Sequence, residues 1–221
     1  MNQNREGMKT IRLSIGILLL ATTACDKEYD SSDFDSCPVV ITDYDPDADF
    51  SQRKHYFLAD SILLIGRNEK PEYLTGDIAE PILSAYRIGL ENCGFTLAPT
   101  KNEADAGLQI SYVSETHHLT GYVSSPYWWL GYPGYWPPWY WGGWAGWYYP
   151  FPVHYSYTTG ALLTDMVDLH SEAGTDGQLP VIWHNYITGL SGRFPYDIRL
   201  AARGIVLAFE QSPYLQTDKN E

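Results

Sequence analysis

A chain of 221 residues, 44% of them hydrophobic, is long enough for one domain with a buried core. It carries 27 acidic and 14 basic side chains, which gives a formal net charge of -13 at pH 7. This excess of negative charge argues against nucleic acid as a partner and against electrostatic attraction to anionic lipid.

Residues 1–24 have the pattern of a signal peptide. Lys9 and Arg12 precede a mainly apolar run, 13–21, and small residues then lead to Cys25. The run is too short to cross a bilayer, which needs about 20 apolar residues. The pattern resembles a bacterial lipobox, which implies acylation of Cys25, with an ordinary secretory signal as the alternative. We therefore predict a lipid-anchored protein of the outer membrane and leave its periplasmic or surface face open.

The segment after Cys25 predicts a tether and then one domain. Residues 25–36 are acidic and lack helical or strand periodicity, so they predict a disordered tether. Acidic residues in this place resemble the export signals of some Bacteroidota surface lipoproteins. A single α+β domain is predicted over 37–214, followed by a disordered tail over 215–221. Cys37 and Cys93 could form a disulfide, because disulfides persist outside the cytoplasm, but the sequence does not supply the geometry and leaves the bond open.

Helix and strand signals alternate through the domain. "VVIT", "HYFLAD" and "AGLQISYVS" have the composition or alternation of strands. Apolar residues recur at helical spacing from Asp77 to Cys93, with Asp77 and Glu80 placed as a capping box and Gly94 beyond the end. "ALLTDMVDLHS" and "PVIWHNYITGL" predict a hairpin, and a second helix with an apolar stripe runs from Ile198 to Phe209. These elements predict a two-layer α+β domain in which both helices cover one face of an antiparallel or mixed sheet.

The order of these segments resembles a known bacterial family. "YDPDADFSQRKHYFLAD", "EADAGLQISY", "GALLTDMVDLHS", "LPVIWHNYITGL" and "AARGIVLAFEQSP" are similar to the lipoprotein family called domain of unknown function 4136. The resemblance covers roughly residues 38–214. It implies an envelope lipoprotein with an α+β domain. It implies no established activity, so no catalytic residue is carried over.

Few residues suggest chemistry. The first metal candidates are four alternating aspartates: Asp43, Asp45, Asp47 and Asp49. They lack the glycine and distal glutamate of a calcium loop, so they predict a solvated turn. No further ligand completes a metal site with His117, His118 and His154, so we predict that they are polar residues beside a loop. Ser191 is not in a nucleophile elbow, and no phosphate-binding loop is present, so we predict no catalytic residue, metal or cofactor.

Residues 117–158 form an aromatic insertion. Between Gly121 and Tyr157 lie seven Trp, nine Tyr and one Phe, and 116–164 contain no Asp, Glu, Lys or Arg. Glycine and proline prevent a long helix, and irregular backbone is excluded from hydrocarbon. Such rings pack on their own domain, rest at a protein or membrane interface, or stack on sugars. The predicted binding residues are Trp128, Trp129, Trp136, Trp139, Trp141, Trp144, Trp147, Tyr135 and Tyr140.

The sequence therefore predicts a non-enzymatic, lipid-anchored envelope protein whose aromatic insertion mediates contact. The predicted partners are the membrane, through the lipid, and a polysaccharide or another envelope protein. A glycan-binding surface lipoprotein is the second hypothesis, and an enzyme is the third.

Overall fold

The computed structural model describes residues 38–65, 72–114, 147–151, 160–170, 178–191 and 197–217. Within these residues the helices are α1 (Glu80–Asn92) and α2 (Ile198–Glu210). The strands are β1 (Val39–Tyr44), β2 (His55–Leu58), β3 (Ile62–Ile65), β4 (Glu72–Leu74), β5 (Thr96–Leu97), β6 (Ala106–Val113), β7 (Trp147–Tyr148), β8 (Ala161–Asp168) and β9 (Leu179–Thr188). Short 3₁₀ helices lie at Phe50–Gln52, Gly76–Ile78, Lys101–Glu103 and Pro213–Leu215.

A mixed sheet organises these elements. Its main order is β1-β9-β8-β6-β2-β5, and β3 also pairs with β6 and with β4. The pairs β1–β9, β9–β8 and β8–β6 are antiparallel, whereas β2 and β3 run parallel to β6. The antiparallel pairing of β8 with β9 confirms the two strands of the predicted hairpin.

Both helices cover one face of this sheet. The side chains that α1 buries are Ile82, Leu83, Tyr86 and Leu90. The residues that α2 buries are Ala201, Gly204, Ile205 and Ala208. They pack in one cluster with strand residues such as Leu108, Ile110 and Leu162. The predicted α+β architecture, with two helices on one face of a mixed sheet, is confirmed.

Helix α1 begins at Glu80 and not at Asp77. Asp77 lies in the preceding 3₁₀ helix, and the N-cap residue Ala79 makes no side-chain capping bond. The predicted capping box is wrong because the chain enters α1 through this tight turn, where the backbone N–H of Ala79 donates to the carbonyl of Gly76 at 3.0 Å. Gly94 follows the helix with φ 89°, which favours glycine at this position.

The ordered chain continues past residue 214. Leu215 is 0% and Thr217 is 3% exposed, and the backbone N–H of Thr217 donates to the carbonyl of Cys93 at 2.9 Å. Residues 215–217 therefore differ from the predicted disordered tail, because they supply a hydrogen bond at the C-terminal end of α1. Residues 218–221 lie outside the described residues.

The approach of α1 to α2 depends on Gly89. A Cβ added there would overlap the ring of Phe209. That ring is held by its neighbours, since it stacks on Trp183 with centroids 5.5 Å apart and meets Tyr86 edge-on at 6.2 Å. A methyl group at Gly89 would therefore force the two helices apart or displace a packed ring.

We expect Gly89→Ala to lower the free energy of unfolding by about 1–2 kcal/mol, because overpacking outweighs the gain in helix propensity. Phe209→Leu should relieve the overlap, so Gly89→Ala should cost less in that background. Urea unfolding measures the coupling between the two positions when it compares the parent protein, the two single variants and the double variant. Strictly additive losses would contradict the proposed contact.

Candidate functional site

The face of the sheet opposite the helices carries a second apolar layer. Trp147, Tyr149 and Phe151 belong to this layer and pack with strand residues such as Leu163 and Val181. β7 runs parallel to the start of β9, where Trp147 is the partner of Leu179. Residues 147–151 of the aromatic insertion are therefore part of the folded domain.

Trp147 is buried in this apolar layer. It is 1% exposed and lies in one cluster with Phe151 and Leu163, so it is a ring that packs on its own domain. The other predicted binding residues lie outside the described residues: Trp128, Trp129, Trp136, Trp139, Trp141, Trp144, Tyr135 and Tyr140. Their binding role stays a prediction.

Four polar side chains cross this apolar layer in one line. The strand register pairs Asp43 with His184, His184 with Asp165, and Asp165 with Gln109. Directly paired residues on neighbouring strands project from the same face, so these four residues form a continuous polar row. His184 is 0%, Gln109 is 1% and Asp165 is 7% exposed. Three of the four residues of the polar row are thus buried in an otherwise apolar environment, and Asp43 is half-buried.

Asp165 connects the polar row to the aromatic segment. Its Oδ1 accepts a hydrogen bond from the hydroxyl of Tyr149 at 2.7 Å and lies 2.7 Å from Nδ1 of His184. An ionised carboxylate only accepts, so an ionised Asp165 requires the hydrogen of this contact to be on Nδ1 of His184. The ring of Tyr149 also meets the imidazole edge-on, with centroids 5.6 Å apart. These contacts fix Tyr149 and give partners to a buried acidic group.

Gln109 ends the polar row with a buried amide. Neither its Nε2 nor its Oε1 has a hydrogen-bond partner among the described residues. Leaving such a group unpaired costs about 1–3 kcal/mol, and buried polar groups in folded proteins are usually paired with protein, ordered water or a ligand. The polar row is therefore the candidate functional site of the described fold, and Asp165 connects it to the aromatic segment through Tyr149.

Sequence reasoning did not single out His184 or Gln109. The available signal was the presence of polar residues inside apolar strands, "LQIS" in β6 and "IWHNY" in β9. That signal does not identify a site by itself, because the partners depend on strand register. Asn185, next to His184, projects to the helix side and donates to the hydroxyl of Tyr86 at 2.9 Å.

A second charged cluster joins the ends of β2, β6 and β8. Asp105 lies 3.0 Å from Nδ1 of His55 and 2.8 Å from Nε2 of His170. Burial raises the pKa of Asp105, but hydrogen bonds from His55 and His170 outweigh this effect, so the net pKa is lowered. Arg53 binds Asp168 at 2.7 Å, and this hydrogen bond raises the pKa of Arg53. The ion pairs and hydrogen bonds of this cluster therefore connect the ends of neighbouring strands.

Ser191 binds the side chain of Asp197. Its Oγ and its backbone N–H both donate to Oδ1 of Asp197 at 2.7 Å, directly before α2. The hydroxyl of Tyr112 donates to the other oxygen of Asp197 at 2.7 Å. Burial and this hydrogen bond raise the pKa of Tyr112. These bonds connect β6, the end of β9 and the start of α2.

Two aspartates of the turn after β1 accept hydrogen bonds from backbone N–H groups of the same turn. Asp45 accepts from the N–H of Asp47 at 3.0 Å, and Asp49 accepts from the N–H of Ser51 at 3.1 Å. Across the described ranges, no group of three or more His, Cys, Asp and Glu residues is arranged to hold a metal ion. His117, His118 and His154 lie outside those ranges.

Cys93 is buried, and burial raises the pKa of its thiol. Cys37 and the predicted lipidation site Cys25 both lie outside the described residues, so the disulfide stays open and the lipid stays a prediction. Neither helix in the described part of the chain is long and apolar enough to span a bilayer.

Comparison with known proteins identifies the class of this α+β domain. A family model called Domain of unknown function (DUF4136) matches residues 40–214, and the chain belongs to this family. A crystal structure of a DUF4136 family protein from Bacteroides thetaiotaomicron is similar, with a TM-score of 0.74 and 44% identity over 82% of this chain and 98% of that chain. A PelC dodecamer from Paraburkholderia phytofirmans is 13% identical over 82% of this chain and 99% of that chain. Its TM-score is 0.35, which is too low to show a shared fold. Comparison with curated proteins gave no match.

Tyr149→Phe removes the hydroxyl group and keeps the ring. We expect this change to lower the free energy of unfolding by about 1–2 kcal/mol and to speed chymotrypsin cleavage within the insertion, because the bond to Asp165 is lost. Tyr148→Phe, at the half-buried neighbouring ring, is the matched control. Urea unfolding and mass spectrometry of the fragments measure the two effects. Equal stability and cleavage in the two variants would contradict an anchoring role for Tyr149.

Proposed function

We propose that this chain is a lipid-anchored protein of the outer membrane, without enzymatic activity, whose aromatic insertion contacts a partner surface. One observation carries the proposal. Residues 147–151 of the insertion are part of the folded domain, through the pairing of β7 with β9 and the 2.7 Å hydrogen bond from Tyr149 to Asp165. A binding segment attached to a rigid scaffold loses less conformational freedom when it meets its partner.

The composition of the insertion defines the chemistry of its partner. Residues 116–164 contain no Asp, Glu, Lys or Arg, although the whole chain has a net charge of -13. Trp and Tyr offer flat apolar faces and hydrogen-bonding edges, which suit apolar or neutral surfaces. An uncharged contact of this kind should depend little on ionic strength. A membrane interface or an apolar protein patch fits this description, and a neutral polysaccharide is the second candidate.

The charged pairs of the domain support a non-enzymatic role. Arg53 and Asp168 join the region before β2 to the end of β8. His55 and Asp105 join β2 to the start of β6. Each pair connects separate segments of the fold, so these groups are engaged in tertiary structure.

The lipid anchor is tested by labelling cells with an alkynyl fatty acid, in a bacterial host that processes lipoproteins. We expect label on the wild-type chain and none on Cys25→Ser, because Cys25 supplies the acylated atom. Cys37→Ser is the matched control and should keep its label. Membrane fractionation with outer-membrane markers should locate the labelled chain in that membrane. Label on Cys25→Ser, or fractionation with the inner membrane, would contradict the proposal.

The contact role is tested with residues 26–221 and vesicles of neutral phosphatidylcholine. We expect the protein to sediment with the vesicles at both low and high salt, and Trp136→Ala combined with Trp139→Ala to weaken binding about tenfold, because each lost ring removes buried apolar surface. Ile88→Ala removes an exposed apolar side chain from α1 and is the matched control. Absence of sedimentation would reject a membrane contact. Saturable fluorescence quenching by a neutral polysaccharide, lost in the double variant, would favour the glycan hypothesis.

A further inference from the structure

A cavity of about 390 Å³ lies between the turn that follows β1 and the 3₁₀ helix Pro213–Leu215. The rings of Tyr44, Phe50 and Tyr214 line it. Asp43 belongs to the polar row, so the next residue of the strand, Tyr44, projects to the opposite, helix-covered side of the sheet. The cavity is therefore separate from the polar row. Its volume falls in the usual range for small-molecule sites, about 300–1,000 Å³.

The aromatic walls of the cavity are held in place. Tyr44 and Tyr214 stack with ring centroids 3.7 Å apart, and Phe50 lies 6.0 Å from Tyr214. The hydroxyl of Tyr214 is 3.0 Å from Oγ of Ser212, which accepts a hydrogen bond from Nε1 of Trp183 at 3.0 Å. Rings that are already ordered lose little freedom when a ligand binds.

The polar part of the lining is acidic. Asp49 lines the cavity, and its Oδ1 accepts from the backbone N–H and from Oγ of Ser51 at 3.1 and 2.6 Å, which orients the carboxylate. Asp45 and Asp47 lie on the same turn and add negative charge nearby. None of the described residues that line the cavity is Lys, Arg or His, although Arg53, which does not line it, interacts electrostatically with Asp49.

We propose that this cavity binds a small organic ammonium ion. The faces of aromatic rings attract a cation through their quadrupole, and the attraction increases as the cation loses water. The carboxylate of Asp49 adds a direct Coulombic attraction. An ammonium ion with short alkyl groups satisfies both the apolar walls and the charge, whereas a neutral molecule of the same shape satisfies only the walls. This site goes beyond the contact function proposed for the insertion.

Isothermal titration of the full chain in a non-ionic detergent tests the proposal with two probes, choline and its neutral isostere 3,3-dimethyl-1-butanol. We expect choline to bind saturably and at least about tenfold more tightly than the alcohol. Asp49→Asn keeps an acceptor for Ser51 but removes the charge, and Tyr44→Leu removes a ring face, so each should weaken choline binding about fivefold or more. Tyr44→Phe keeps the ring and should bind choline like the wild type.

Asp77→Asn changes an exposed carboxylate in the 3₁₀ helix Gly76–Ile78 and is the matched control, with unchanged affinity expected. Equal affinity for the two probes, no saturable choline binding, or unchanged affinity in both Asp49→Asn and Tyr44→Leu would each overturn the proposal. Trp136→Ala combined with Trp139→Ala should leave choline binding intact, so the cavity and the contact function can fail independently.

The same ammonium chemistry occurs in free solutes and in lipid headgroups. Choline titration of the chain in vesicles of phosphatidylcholine and of phosphatidylglycerol separates these sources. Weaker apparent binding in phosphatidylcholine vesicles would assign a lipid headgroup as the competing ligand, and equal binding would assign a soluble ammonium ion. Both results support a cation site.

Discussion

The central strands of this protein are buried on both faces, and the rest of the structure depends on that constraint. Every residue of β6 and β8 is buried, as is nearly all of β9. A sheet with two apolar faces must be covered twice, because exposed apolar area costs about 25 cal/mol per Å². The helices α1 and α2 cover one face. Trp147, Tyr149 and Phe151 contribute to the cover of the other.

Double burial also explains why the polar row needs specific partners. A carboxylate and an imidazole inside an apolar layer are tolerated only when hydrogen bonds replace the lost water. Asp165 obtains these bonds from Tyr149 and His184, so the same contacts that compensate burial also hold the aromatic segment on the sheet. Stability and the position of the insertion are therefore linked at one carboxylate.

The periodic parts of the fold could be predicted from the sequence. The stripe from Ile82 to Leu90 followed from helical spacing. The hairpin strands around Asp165 and His184 followed from their composition and from the turn-forming residues between them. The start of α1 was missed because a 3₁₀ turn took the place of a capping box. The core position of Trp147 was one of the alternatives that the sequence left open, since composition does not distinguish a ring that packs from a ring that binds.

The sequence by itself determined the helices, the principal strands, the α+β class and the resemblance to the family whose model matches residues 40–214. These features depend on local periodicity and on short segments of sequence. Only the tertiary structure decided that Asp43, Asp165 and Gln109 line up with His184, and that Tyr44 stacks on Tyr214. Such neighbours are set by strand register and chain reversal, and a shift of one residue would send each strand side chain to the opposite face.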